Sequence, residues 1–200
     1  LTAGDGIQHA EMFPLFNKSK SNHIDFFQIW VNLPAARKRV KPYFSMLWAN
    51  QVPIVNMLDS KGRLTEVTLV AGEYGTNKPP RPPLDSWASE ADSNLAMWII
   101  KLQPNAEWVL PSAVKTTERS LYIINGSGIK ISSQSFSARH QLVLIPDMNA
   151  QITDNGSGTE LLLLQGKPIA EPIVKYGPFV MNTQSEIRQA YYDYKNTEFG

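Results

Sequence analysis

The chain has no cysteine in its 200 residues. Disulfides, zinc–thiolate sites, iron–sulfur clusters and cysteine nucleophiles are therefore excluded within it. A reducing compartment is compatible with that absence. Charge is sparse as well: Asp, Glu, Lys and Arg make up 18% of the residues, and the formal net charge is +1. No basic patch is dense enough to argue for nucleic acid. Arg37-Lys38-Arg39 with Lys41 is the one basic cluster, and it reads as a solvated loop. No apolar run approaches the length that spans a bilayer, and no signal peptide is evident. Histidine is scarce, with His9, His23 and His140 making up the whole set.

What is present is a 42% apolar fraction, enough for a real core, in a length that fits one large domain or two small ones. The first dozen residues draw the eye. Gly4-Asp5-Gly6 reads as a tight turn, and Ile7, His9 and Glu11 then alternate with Gln8, Ala10 and Met12. In a strand, residues two apart share a face, so His9 and Glu11 would project side by side. An imidazole and a carboxylate that converge make half of a first-row transition-metal site. The spacing alone is equally that of a solvated face or a local ion pair, and no complementary half is visible.

Along the chain, His23 to Leu33 is β-rich in composition and alternates, with Phe27, Ile29, Val31 and Leu33 on one face. Val52 to Met57 and Lys61 to Ala71, around the turn Asp59-Ser60-Lys61-Gly62, read as a hairpin. Gly72 to Asp85 carries Pro79, Pro80, Pro82 and Pro83, which neither a helix nor a central strand survives. A linker over 73–92 is therefore expected. Strands follow at Asn94–Leu102, Glu118–Asn125, Gly128–Ser132 and Gln141–Ile145. A buried leucine run spans Glu160–Gln165. Short strands with frequent turns predict an all-β barrel or sandwich. In the tail, Thr183 and Glu186 have capping-box spacing, and Ile187, Ala190, Tyr191 and Tyr194 fall on one helical face. A helix over 183–195 is expected, lying on the barrel surface.

These pieces together resemble the pirin family, proteins built from two cupin barrels in tandem. Thr2-Ala3-Gly4-x-Gly6-Ile7-x-His9-x-Glu11-Met12 is similar to the family's metal-ligand strand, and Ile29-Trp30-Val31-Asn32-Leu33-Pro34 to its following strand. Gly166-Lys167-Pro168-Ile169-x-Glu171-Pro172 and Tyr176-Gly177-Pro178-Phe179-Val180-Met181-Asn182-Thr183 are similar to its C-terminal signature. Order and spacing agree from residue 1 to 200.

The resemblance implies an all-β fold of two tandem cupin (jelly-roll) barrels plus a C-terminal helix, with the first barrel incomplete. The implied division is 1–72 as the remainder of that barrel, 73–92 as linker, 93–170 as the C-terminal barrel and 171–200 as the C-terminal segment. His9 and Glu11 match two ligands of a three-histidine, one-glutamate site. The other two histidines are expected in an upstream segment, a His-x-His-Arg-Gly motif that the chain does not contain. Fe(II), or another divalent first-row metal, would be held there. His23 and His140 stand in no ligand motif, and Glu118 in the second barrel has no histidine near it in sequence.

For function, the resemblance implies an iron-dependent dioxygenase acting on a small aromatic substrate, a flavonol such as quercetin. Glu11 would serve there as both ligand and catalytic base. A second implication is a non-enzymatic iron-containing regulator that binds a transcription factor or metabolic enzyme through the Arg37-Lys38-Arg39 loop. A third is a fragment whose metal site is not assembled. The upstream segment is expected as the partner that completes the first barrel, and the family implies the cytoplasm, with the nucleus added in a eukaryote.

Overall fold

Alternating apolar residues become strands where another backbone lies alongside to pair with. In the computed structural model, which describes residues 1–197 and 199, that condition is met from residue 54 onward. The chain divides into two compact units, one of Leu1–Phe44 with Ile169–Gly200 and one of Ser45–Pro168.

The second unit opens with the expected hairpin, β1 (Ile54–Leu58) and β2 (Leu64–Ala71). Eight strands follow: β3 (Ala96–Leu102), β4 (Glu107–Leu110), β5 (Glu118–Gly126), β6 (Ile129–Ile131), β7 (Gln134–Phe136), β8 (His140–Val143), β9 (Ala150–Asp154) and β10 (Thr159–Gly166). One sheet has the order β1-β2-β3-β10-β5-β8 and the other β4-β9-β6-β7, with every pair antiparallel. From β3 to β10 the alternation between the two sheets is that of a jelly roll, and β1–β2 extend one sheet at its edge. The hairpin thus belongs with the jelly roll, not with residues 1–44. The expected linker lies inside this unit, between β2 and β3, where it carries two 3-10 turns at Trp87–Ser89 and Ala91–Ser93.

The inward faces follow the period of two. Val67 and Leu69 of β2, Trp98, Ile100 and Leu102 of β3, and Leu121 and Ile123 of β5 are buried. They meet Trp108, Leu110, Ile129 and Ile152 from the other sheet. Strand β10, paired on both sides, buries Leu161, Leu162 and Leu163 in succession, as the leucine run predicts.

Two buried charges close the ends of this unit. At one end Asp154 collects five donors. Its Oδ2 accepts the backbone N–H of Asn105 (2.9 Å), Gly156 (2.7 Å) and Gly158 (3.1 Å). Its Oδ1 accepts the hydroxyls of Ser127 (3.0 Å) and Thr159 (2.6 Å). Burial alone raises a carboxylate pKa, but these donors outweigh it and hold Asp154 below the ordinary range. Gly126 makes the adjacent turn possible: its φ is +95°, and a Cβ there would collide with the Gly158 carbonyl. At the other end Arg119, 1% exposed, faces neutral oxygens. Its Nε donates to Gln165 Oε1 (3.0 Å) and its Nη2 to the Pro111 carbonyl (2.8 Å).

The first unit is built differently. Residues 7–12 and 23–33, expected as strands, form none. The pairing in this stretch is a short antiparallel contact in which Thr2 and Tyr43 exchange both backbone hydrogen bonds (2.8 and 3.0 Å). The side chains suit a sheet, but among the described residues no strand pairs its backbone with this stretch, and an unpaired extended segment has no ladder to join. An incomplete first barrel is therefore not seen among the described residues. The C-terminal part forms β11 (Val174–Tyr176), β12 (Phe179–Met181) and α1 (Gln184–Thr197). The Gly177-Pro178 turn joins β11 and β12 into a hairpin. The capping box forms as read: the Glu186 N–H donates to Thr183 Oγ1 (3.3 Å), and the Thr183 N–H donates to Glu186 Oε2 (2.7 Å). Helix α1 packs on the β11–β12 hairpin. Ile187 and Ala190 are buried, and the Tyr191 ring stands edge-on to Phe179 at 4.8 Å.

Replacing Asp154 with alanine strands five donors, so a loss of about 2–4 kcal/mol is expected at neutral pH in urea unfolding. The folded pKa is depressed, so the wild-type advantage is full above the ordinary carboxylate range and fades as pH falls through the folded value. A deficit below about 1 kcal/mol at pH 7 would remove Asp154 from this role.

Candidate functional site

His9 and Glu11 do meet. His9 Nδ1 lies 3.0 Å from Glu11 Oε1, with the two side chains 40% and 56% exposed. They converge from irregular backbone rather than from a strand. The donor chemistry, one imidazole nitrogen and one carboxylate oxygen, fits half of a mixed first-row metal site. Among the described residues, no group of three or more His, Cys, Asp or Glu side chains is arranged to hold a metal ion. His23 is exposed. His140 is exposed at the start of β8, its Nδ1 3.2 Å from Ser137 Oγ. Glu118 is exposed at the start of β5.

The turn before His9 is held closely. Gly4 has φ +52°, and a Cβ on it would strike the carbonyl of Val40. That carbonyl accepts the Asp5 N–H at 2.9 Å. The Asp5 carboxylate accepts from Arg39 Nη1 at 2.9 Å, and the same nitrogen reaches Asp193 Oδ2 on α1 at 3.2 Å. The hydrogen bond to Asp5, and then the one to Asp193, raises the Arg39 pKa further.

One member of the basic cluster turns inward. Lys38 is 6% exposed and donates to Asn32 Oδ1. Burial pushes its pKa down, against the pull of the Glu171 and Glu186 carboxylates. Glu171 Oε2 also accepts from the Ala35 N–H (2.6 Å), at the start of the 3-10 turn Ala35–Arg37, and from Asn182 Nδ2 (3.0 Å). The sequence flags Glu171 within its C-terminal motif, Asp5 within the tight turn and Arg39 within the basic cluster, but nothing in it pairs them, and Asp193 carries no signal at all. Arg39 is 34 positions from Asp5 and 154 from Asp193, so no local pattern joins them.

In the jelly-roll unit a shallow groove of about 410 Å³ is lined by Tyr122, Ile123, Ile124, Arg139, His140 and Gln141. It holds no carboxylate. Among the described residues, no helix is long and apolar enough to cross a membrane.

Comparison with known proteins adds independent findings. Residues 97–200 match the family model described as the pirin C-terminal cupin domain. The chain is 35% identical to a pirin-like protein of Solanum lycopersicum over 199 residues, which is 98% of this chain and 62% of that protein. It is 30% identical to the Homo sapiens protein pirin over 205 residues, 100% of this chain and 64% of that protein. Among solved structures it is similar to a quercetin 2,3-dioxygenase from Acinetobacter baumannii. The identity is 27% and the TM-score 0.71, over 86% of this chain and 55% of that one. The chain thus spans less than two thirds of the length of each of these three proteins.

Glu171 serves the Ala35 amide, Asn182 and Lys38 at once. Glu171→Ala is expected to cost about 1–3 kcal/mol in chemical denaturation and to speed hydrogen exchange at the Ala35 amide. Unchanged exchange at Ala35 would show that the contact does not persist in solution.

Proposed function

The chain belongs to the pirin family, and on that footing we propose that it is the larger part of a metal-dependent dioxygenase acting on a small aromatic hydroxyl compound of the flavonol type. The observation that carries the reading is the convergence of His9 and Glu11 at 3.0 Å, from a motif in which neither residue has another evident task. Likeness to a protein named as a quercetin 2,3-dioxygenase supports the choice of chemistry.

His9 and Glu11 would hold a divalent first-row metal, Fe(II) foremost. When bound, such an ion acts as a Lewis acid toward an oxygen donor. Glu11 itself would accept the proton of the substrate hydroxyl, and its exposed carboxylate is reachable for that task. His9, within hydrogen-bond distance of Glu11, would orient it.

Two ligands do not make a site, and we propose that the remaining two come from a segment preceding residue 1. The exposed apolar side chains of the first unit support this: Phe16 is 95% exposed, Phe26 61% and Trp30 56%. Exposed aromatic surface of that extent marks a contact area. The relatives, longer than this chain, have sequence to spare for such a segment. The alternative of a regulator docking through Arg37-Lys38-Arg39 draws less support, since Lys38 is buried and Arg39 is engaged by two carboxylates.

Iron analysis of the protein extended to its relatives' length is expected to give about one equivalent after reconstitution. Loss of quercetin absorbance under air should accompany it. His9→Ala should lower iron affinity more than about 100-fold and abolish turnover. Less than about half an equivalent of iron in the parent protein would sink the proposal. Full iron without quercetin turnover would favour a binding protein.

A further inference from the structure

We infer that Arg39 is a positioning residue for the His9–Glu11 pair, fixing the turn that precedes it to the C-terminal helix. The inference rests on the reading of His9 and Glu11 as metal ligands.

One nitrogen, Arg39 Nη1, donates to Asp5 Oδ1 at 2.9 Å and to Asp193 Oδ2 at 3.2 Å. The Asp193 carboxylate and the Asp5 backbone each have a second anchor. Asp193 accepts a second bond from Gln189 Nε2 at 2.7 Å, one helical turn earlier on α1. That bond and then the one from Arg39 lower its pKa. Asp5 lies between Gly4 and Gly6, both at positive φ, and its own N–H donates to the carbonyl of Val40, the residue after Arg39. The turn is therefore gripped twice by the same short loop, by backbone at Val40 and by side chain at Arg39.

The loop is in turn anchored by residues that belong to the C-terminal segment. Glu171 accepts from the Ala35 N–H, and the carboxylates of Glu171 and Glu186 face buried Lys38. Helix α1 is seated by its capping box and by its packing on β12. A physical path thus runs from α1 through Asp193 and Arg39 to Asp5, four residues before His9.

This matters because residues 7–12 have no ladder to define their course. Fixing the turn at their start narrows the positions that His9 and Glu11 sample, as outer-shell contacts do for ligands elsewhere. Exposed ion pairs contribute little to global stability, and the Arg39 side chain is 43% exposed. A positioning role therefore predicts local loosening without global unfolding.

The test is made on the protein extended to its relatives' length. Arg39→Ala and Asp193→Asn are each compared with the parent by hydrogen exchange of the metal-free protein and by Fe(II) titration under anaerobic conditions. Both variants are expected to speed exchange across residues 5–12 by about tenfold, while β5 and β10 stay unchanged. Both are expected to weaken Fe(II) binding by about 10–100-fold. Arg39→Lys, which keeps the charge on a shorter side chain without the planar guanidinium, should recover only part of each effect. Unchanged exchange over residues 5–12 in either variant overturns the latch. Faster exchange with unchanged Fe(II) affinity overturns the positioning role. A parent protein that binds no Fe(II) instead sinks the proposed function, while the exchange result still judges the latch by itself.

Discussion

A strand exists only where its backbone finds a neighbour, and this constraint shapes the whole molecule. Strand β10 is hydrogen-bonded to β3 on one side and β5 on the other. Its amides and carbonyls are thereby satisfied within the sheet, which lets three consecutive leucines be buried without stranding polar backbone. Around it the remaining strands distribute into two sheets, and the inward half of each residue pattern fills the space between. Residues 7–12 and 23–33 have suitable side chains but, among the described residues, no strand pairs with them. They take irregular paths and leave large apolar groups facing solvent.

Where ladders end or never form, charged side chains take over the organising role. Asp154 gathers backbone and hydroxyl donors from three turns at one end of the jelly roll. Arg119 reaches β10 and the end of β4 at the other. Charged groups this deep are tolerated because each meets several oriented partners. In the first unit Glu171, Lys38 and Arg39 act similarly on a segment with almost no regular structure. The candidate ligands His9 and Glu11 hang from that scaffold of side-chain bonds.

Much of the second unit was legible in the residues. The hairpin β1–β2, the strands β3, β5, β6, β8 and β10, and helix α1 with its cap follow from alternation, turn residues and capping spacing. Strands β4, β7 and β9 were not legible. Gln134-Ser135-Phe136 is mostly polar, Ala150–Asp154 has one large apolar residue in Ile152, and Glu107–Leu110 is short and ends against Pro111. Their partners, not their composition, make them strands, and with β6 they form the second sheet. The bond from Arg39 to Asp5 and Asp193 was equally hidden, since it joins three distant segments. Lys38 read as solvated because a run of basic residues in sequence says nothing about which of them turns inward.

By itself the sequence determined the all-β class, the positions of the most periodic strands, the capped helix, and the residue types available for a metal. It also carried the family signature, because motifs of that kind are strings of adjacent residues. The tertiary structure decided which patterned segments become strands, which sheet the first hairpin joins, where α1 packs, and what holds the turn before His9. Those outcomes depend on partners many residues away. A chain read in order reports what each residue prefers, and only the folded arrangement shows whether its partner has arrived.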